Sequence, residues 1–247
     1  MKMRSLLEAH RRSGNVFPLI GGHRGCTCDF QENTIPAMNL GLERGADYLE
    51  IDVQLTKDHV PVIFHDIDTL DKTGLPGLVQ DYTFGELNEK YRVPTLEEVM
   101  RWGRKNNVFF ALEMKSSAYE TEEMNYVLMP LMDEIVRAEG MLSQVEAFGV
   151  DYKVLASLKK IDKDFEIGLI VPFIPINPIS LMREMSAMIY LSYVYNLTKE
   201  AVCDLQKHGY FVSGAILQTQ KLVDYAISAK VDMFEYDYPE RFVGYKR

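Results

Sequence analysis

Cysteine is scarce in this chain, with three residues at positions 26, 28 and 203. So sparse and odd a set excludes a disulfide framework as the source of stability. Cys26 and Cys28 form a C-x-C with no matching pair elsewhere, so no zinc site is expected. They read as free thiols in a loop of a reducing compartment. Long apolar runs are missing too: nothing approaches ~18 consecutive apolar residues, so no membrane-spanning segment is expected. Residues 1–13 hold no apolar core and no small-residue cleavage site, so no signal peptide is expected, and the cytoplasm is the expected location. Basic residues are in deficit, with 27 Lys and Arg against 36 Asp and Glu, a net charge of −9. That field argues against broad binding to nucleic acid or to an anionic membrane surface. Any phosphate ester must therefore meet local cations, of which a divalent metal is one. No low-complexity linker or internal repeat marks a boundary, so residues 1–247 are expected to form one domain.

What is present is an alternation of apolar runs with amphipathic segments. Strand-like runs lie at 17–21, 48–55, 60–64, 108–114, 144–148, 166–171, 188–195, 211–217 and 232–236. Helical patterns fall between most of them, at 36–44, 95–105, 122–139, 152–160, 198–207 and 221–229. Such alternation predicts parallel strands joined by crossover helices. Asn33 or Thr34 can cap the first crossover helix, with Pro36 in its first turn and Gly45 at its end. Thr95-Leu-Glu-Glu98 is a capping-box pattern. Between Leu55 and Val62 lie about six residues, too few for a parallel crossover, so 60–64 should fold back on 48–55 as an antiparallel hairpin. The remaining eight runs are the number a closed (β/α)8 TIM barrel requires. An open doubly wound sheet is the runner-up, but no Gly-rich dinucleotide loop follows an early strand.

Chemistry gathers at the strand ends, the catalytic face of a barrel. Gly21-Gly-His-Arg-Gly25 puts His23 and Arg24 after the first strand, between glycines that permit sharp turns. In Glu50-Ile-Asp-Val-Gln54, alternation puts Glu50 and Asp52 on one face of an apolar strand. Two adjacent carboxylates resist burial, and a bound cation relieves both their repulsion and their desolvation. If the hairpin turn is centred on Asp58–His59, His65 falls opposite Asp52. Glu113 and Lys115, two apart at the end of the run 108–112, again share a face, an oxygen ligand for Ca²⁺ or Mg²⁺ beside a phosphate clamp. Each pair has a bland alternative: a structural His-Arg, solvated edge charges, a surface ion pair. Together they supply a Lewis acid, cationic clamps and an acid–base pair, the parts that phosphodiester hydrolysis needs. His10, His59 and His208 sit in polar contexts and read as solvated.

The succession His23-Arg-Gly, Glu32-Asn-Thr, Gly45-Ala-Asp-Tyr-Leu-Glu-Ile-Asp-Val53, Leu55-Thr-Lys-Asp, Val62-Ile-Phe-His-Asp66, Pro94-Thr-Leu-Glu-Glu98 and Leu112-Glu-Met-Lys115 resembles the glycerophosphodiester phosphodiesterase family. The resemblance implies a TIM barrel with a small insertion at about 67–92, after the second strand and its hairpin. It implies Glu50, Asp52 and Glu113 as ligands of one divalent cation, Ca²⁺ or Mg²⁺ with Mn²⁺ as an alternative. His23 and His65 would be the acid–base pair, and Arg24 and Lys115 would hold the phosphate of a small-molecule phosphodiester. The implied reaction splits a glycerophosphodiester into glycerol 3-phosphate and an alcohol.

The second half departs from that pattern. Gly149-Val150 stands where Ser-Phe is usual, Ala215-Ile-Leu-Gln218 where Trp-Thr-Val-Asn is usual, and Tyr236 where threonine is common. The sole tryptophan, Trp102, falls in a predicted helix and cannot substitute. These changes touch the wall around the leaving alcohol or glycerol, which Phe173, Tyr190, Tyr193 and Tyr195 are candidates to rebuild. Two alternatives stand beside hydrolysis. One is phospholipase-D-like transfer giving a cyclic phosphate, against which an acidic chain without an apolar lid weighs. The other is non-catalytic phosphodiester binding, against which the retained histidines and carboxylates weigh.

Overall fold

The structure, a computed structural model, describes residues 3–14, 17–116, 122–215, 217 and 219–245. Nine strands form one sheet: β1 (Leu19–His23), β2 (Tyr48–Leu55), β3 (Pro61–Ile63), β4 (Phe110–Met114), β5 (Val145–Gly149), β6 (Ile167–Ile170), β7 (Ile189–Tyr193), β8 (Phe211–Ala215) and β9 (Met233–Tyr236). All pair in parallel except β3, and β1 pairs with both β2 and β9, so the other eight close a ring. The second strand is the longest, and its overhanging end, Val53–Leu55, is what β3 pairs against. Barrel and hairpin are thus as the sequence implies.

The hairpin register differs by one residue from expectation. Val53 pairs with Ile63, and the Phe64 amide donates to Asp52 O, so Phe64 rather than His65 stands opposite Asp52. A left-handed His59 (φ 61°) and the Thr56–Val60 backbone bond make the turn one residue tighter than a turn centred on Asp58–His59. Beyond Ile63 the chain leaves the strand, so alternation no longer dictates where His65 points.

Helices lie at α1 (Met3–Arg12), α2 (Ile35–Glu43), α3 (Leu70–Thr73), α4 (Phe84–Lys90), α5 (Leu96–Asn106), α6 (Glu122–Ala138), α7 (Tyr152–Ile161), α8 (Pro178–Met185), α9 (Lys199–Lys207) and α10 (Gln220–Ala229). Two of them, α3 and α4, occupy the expected insertion, where Leu87 of α4 and Val79, between the two helices, pack with Val62, Phe64 and Val93 in a small separate core. Thr34 caps α2, accepting from the Ala37 amide, while Asn33 turns left-handed (φ 59°) and is free for another task. Thr95 and Glu98 form the expected capping box.

Strand alternation sorts the core in two. One set, including Ile20, Leu49, Ile51, Val53, Phe110 and Leu112, packs outward against the helices. The other lies inside the barrel: Leu19, Tyr48, Phe109, Ala111, Phe148, Ile189, Leu191, Phe211 and Met233. Met3 and Leu7 of α1 join this inner set. Arg4 bonds Glu166 and Arg11 bonds Asp232, both just ahead of a strand, so α1 stoppers the amino-terminal end of the barrel. The opposite end stays open for polar chemistry.

Candidate active site

The loop after β1 begins the site. Gly25 has φ 91°, and a Cβ there would meet the Ala37 carbonyl carbon at 2.6 Å, so only glycine permits this approach to α2. Arg24 is left-handed too (φ 53°), and its amide donates to Glu50 Oε2 at 3.0 Å. Its guanidinium donates to Glu32 Oε2 at 3.0 Å and lies 3.5 Å from Asp52 Oδ2. His23, the last residue of β1, has Nδ1 2.6 Å from Asp237 Oδ1 and Nε2 3.9 Å from Glu50 Oε2. The bond from His23 holds the Asp237 carboxyl below its usual range.

On the neighbouring strands, carboxylate oxygens of Glu50, Asp52 and Glu113 lie within 4.8 Å of one another. Parallel register explains the meeting: Glu50 pairs with His23, and Asp52 pairs with Glu113. Glu50 and Asp52 are wholly buried, yet Glu50 Oε1 has no hydrogen-bond partner among the described residues. Burial first, then the charges of Asp52, Glu235 and Glu113, push Glu50 well above the ordinary carboxyl range. Burial also pushes Asp52 up, but Lys115, His65, Arg24 and the Asn33 amide outweigh it and hold Asp52 below its usual value. Lys115 Nζ donates to Glu113 Oε1 at 2.7 Å and lies 2.9 Å from Asp52 Oδ1. These carboxylates keep the ammonium protonated despite its burial. Three hard oxygen donors, one of them orphaned inside the protein, fit a divalent cation.

His65 stands slightly apart. Its Nδ1 lies 2.5 Å from Asp66 Oδ1, and with Glu32 and Asp66 it forms a second group of close ligand atoms. Lys72 ion-pairs with both Glu32 and Asp66, so this second group already holds its cation. The acidic trio, His23, Arg24 and Lys115 thus converge directly, and His65 reaches them through its field on Asp52.

Several residues at this site have no part in it on the sequence reading alone, Asn33 being expected only as a helix cap. Asn33 Nδ2 donates to Asp52 Oδ2 at 2.7 Å, made available by the left-handed turn that frees it from capping. Glu32 orients Arg24, and Gln54 Nε2 donates to the carbonyls of Phe64 and Asp66, each at 2.8 Å, pinning the loop that carries His65. The Glu32-Asn-Thr motif and the position of Gln54 on the Glu50–Asp52 face were the signals available. Glu235 of β9 is a fourth carboxyl at this end, pushed up to about 7 by burial and the nearby Glu113 and Asp52 against the opposing pull of His23.

Among the aromatic candidates, Tyr190 is buried in the outer core and forms no wall. Tyr193 stacks on the exposed Tyr195 with centroids 5.2 Å apart, and Phe173 projects from the loop after β6. Trp102 packs on Phe110 from α5, away from the mouth. Of the Ala215–Gln218 segment, Ile216 and Gln218 lie outside the described residues. Ala215 and Leu217 line a cavity of about 360 Å³ beside His23.

A closed parallel barrel whose carboxyl-end mouth joins three clustered carboxyl groups, a histidine and half-buried cations defines a barrel enzyme of phosphodiester chemistry. The profile of the Glycerophosphoryl diester phosphodiesterase family matches residues 23–239, and the chain belongs to that family. It is 28% identical over 246 residues to a glycerophosphodiester phosphodiesterase of Caldanaerobacter subterraneus, covering 93% of this chain and 98% of that one. A stretch of 150 residues is 34% identical to the uncharacterised protein YqiK of Bacillus subtilis, 56% of the length of each. In fold the chain is similar to an Oleispira antarctica phosphodiesterase solved with the product sn-glycerol-3-phosphate. The TM-score there is 0.82 at 21% identity, over 93% of this chain and 96% of that one.

Proposed function

We propose that this chain hydrolyses a small glycerophosphodiester to glycerol 3-phosphate and an alcohol, using one divalent cation held by Glu50, Asp52 and Glu113. The carrying observation is the orphaned, buried Glu50 Oε1 in a trio of carboxylates contributed by adjacent strands. When bound, the cation supplies Lewis-acid charge to a phosphate oxygen.

The chain's own residues supply the rest. Asp237 fixes the His23 ring through Nδ1, which leaves Nε2, 3.9 Å from Glu50 Oε2, for proton transfer. Asp66 likewise fixes the His65 ring through Nδ1. One imidazole deprotonates the attacking hydroxyl or water while the other protonates the departing alcohol oxygen. Arg24 and Lys115, already held in place by carboxylates, bring positive charge to the phosphate in an otherwise acidic protein.

Release of glycerol 3-phosphate from glycerophosphocholine and glycerophosphoethanolamine, with Ca²⁺, Mg²⁺ or Mn²⁺ and again after chelation, tests this reading. Turnover with metal and its loss with chelator are expected. Absence of turnover with every ion and diester overturns hydrolysis, and binding without turnover would leave a phosphodiester-binding protein.

Internal transfer to a cyclic phosphate is favoured by one feature. Phe173, Ile174 and Ile176 are 55%, 72% and 106% exposed on the loop between β6 and α8, an apolar rim on the mouth side suited to lipid contact. Phosphorus NMR of the product separates the cyclic from the open phosphate. No helix among the described residues is long and apolar enough to cross a membrane.

A further inference from the structure

We propose that Cys26 and Cys28 form a reversible oxidation site: a peroxide oxidises the exposed Cys28, and the buried Cys26 then closes on it as an intrachain disulfide. Their sulfurs lie 3.1 Å apart. A disulfide is about 2.05 Å long, so the bond needs a shift of only about 1 Å. The loop is already folded for it. The Cys26 amide donates to Ala37 O at 2.9 Å, and Gly25 before it is pressed on α2, which fixes the first sulfur. Residues 27 and 28 lie in a turn that brings the second sulfur back to it. Cys28 also donates to Asp29 Oδ2 at 3.6 Å, an exposed contact that water can replace.

The contrast in exposure assigns the two roles. Cys28 is open to solvent and Cys26 is 0% exposed, so a dissolved oxidant meets Cys28 first. Burial, followed by the hydrogen bond with Cys28, pushes the Cys26 thiol up to about 11, which keeps it protonated and spares it direct attack. In the first step the Cys28 sulfur attacks a peroxide oxygen and the O–O bond breaks. The departing hydroxide takes the Cys28 proton and leaves as water, with sulfenic acid on Cys28. In the second step the Cys26 sulfur attacks the Cys28 sulfur and the S–O bond breaks. That hydroxide takes the Cys26 proton. Two thiols are thus oxidised to a disulfide while one peroxide is reduced to two waters. Without Cys26 the sulfenic acid would go on to a sulfinate, an irreversible negative charge on the loop. The loop matters because its base is the Asn33 amide bonded to Arg24 O at 3.0 Å, and both residues bear on Asp52. Closure of the disulfide halts oxidation where a thiol can still undo it.

Peptide mass mapping after treatment of the full chain with hydrogen peroxide tests the site. Trypsin releases residues 25–44, which hold Cys26 and Cys28 but not Cys203. That peptide is expected to be lighter by two hydrogens, and dithiothreitol should restore its mass. Cys26→Ala keeps the buried position apolar and removes the resolving sulfur. At the same peroxide dose its Cys28 should gain two or three oxygen atoms that dithiothreitol does not remove. Cys28→Ser should leave Cys26 unoxidised, because the entry point is gone. The proposal is overturned if the parent's Cys28 gains oxygen atoms as readily as that of the Cys26→Ala variant. It is overturned equally if Cys28 pairs with Cys203 or with a second chain instead. No change in the peptide at doses that fully oxidise the exposed Cys203 would also overturn it. The readout is mass, so none of these outcomes depends on whether a diester is turned over.

Discussion

At the scale of single residues, the site divides into groups that ordinary strand alternation delivers and groups that a turn must deliver. Glu50, Asp52 and Glu113 belong to the first kind, which is why the sequence suffices to put them together. Asn33 and Glu32 belong to the second, since their reach depends on left-handed backbone at Arg24 and Asn33. Replacing His23 or His65 by glutamine is expected to lower kcat by about 10²–10⁴-fold with an unchanged circular dichroism spectrum, measured on whichever diester is turned over fastest. Asp237→Asn should cost less, about ten-fold or more in kcat, because it frees the His23 ring without removing it. Glu146 invites a different measurement. It is wholly buried in the barrel, Oε2 has no partner among the described residues, and burial followed by Glu235 and Glu166 pushes its carboxyl well up. A carboxyl raised in the folded state stabilises the fold below its unfolded value near 4.5, and that contribution is lost as pH rises toward the folded value. Melting temperatures of Glu146→Gln and the parent should therefore diverge as pH climbs from about 4.5, with the variant increasingly the more stable. Parallel pH profiles would show that the carboxyl titrates alike in the folded and unfolded states.

At the scale of elements, the hairpin is the instructive case. Chain length alone dictated that β3 returns antiparallel, because six residues cannot carry a crossover. Its register was beyond such reasoning: a left-handed His59 shifts the pairing by one, and the strand ends before His65. What positions that histidine is then not alternation but Gln54, whose amide holds the carbonyls on either side of it. Gln54→Leu, which keeps the volume and removes both bonds, is expected to reduce kcat by about ten-fold and leave helix content untouched. Full activity in that variant would mean the loop is held by its small apolar core around Phe64 alone. Helix α8 shows another limit of sequence periodicity. It is a short helix that buries only Met182 fully and follows the proline-rich 172–178 stretch, so its apolar stripe was too brief to be read.

At the scale of the whole molecule, a barrel has two ends with opposite needs, and this chain treats them oppositely. The mouth keeps buried charge that a hydrophobic plug would strand, whereas the far end exposes the inner residues Leu19, Phe109, Phe211 and Met233 unless something covers them. That cover is α1, a segment whose charged and mixed composition concealed its part. Met3 and Leu7 enter the barrel at 1% exposure each. Arg11 anchors the helix, with its guanidinium on Asp232 and 4.1 Å over the Phe211 ring. Because Asp232 is itself buried and also accepts from the Val212 amide, the arginine neutralises a carboxylate at the rim of the ring. Leu7→Ala should cost about 2–5 kcal/mol, a fall of roughly 5–15 °C in melting temperature for a chain of this size. Arg11→Ala is expected to destabilise comparably by leaving Asp232 without its cation. Neither variant touches the mouth, so kcat well below the new melting temperature should remain that of the parent. A drop in kcat at full folding would instead mean that strain at the stoppered end is transmitted up the strands to the acidic trio.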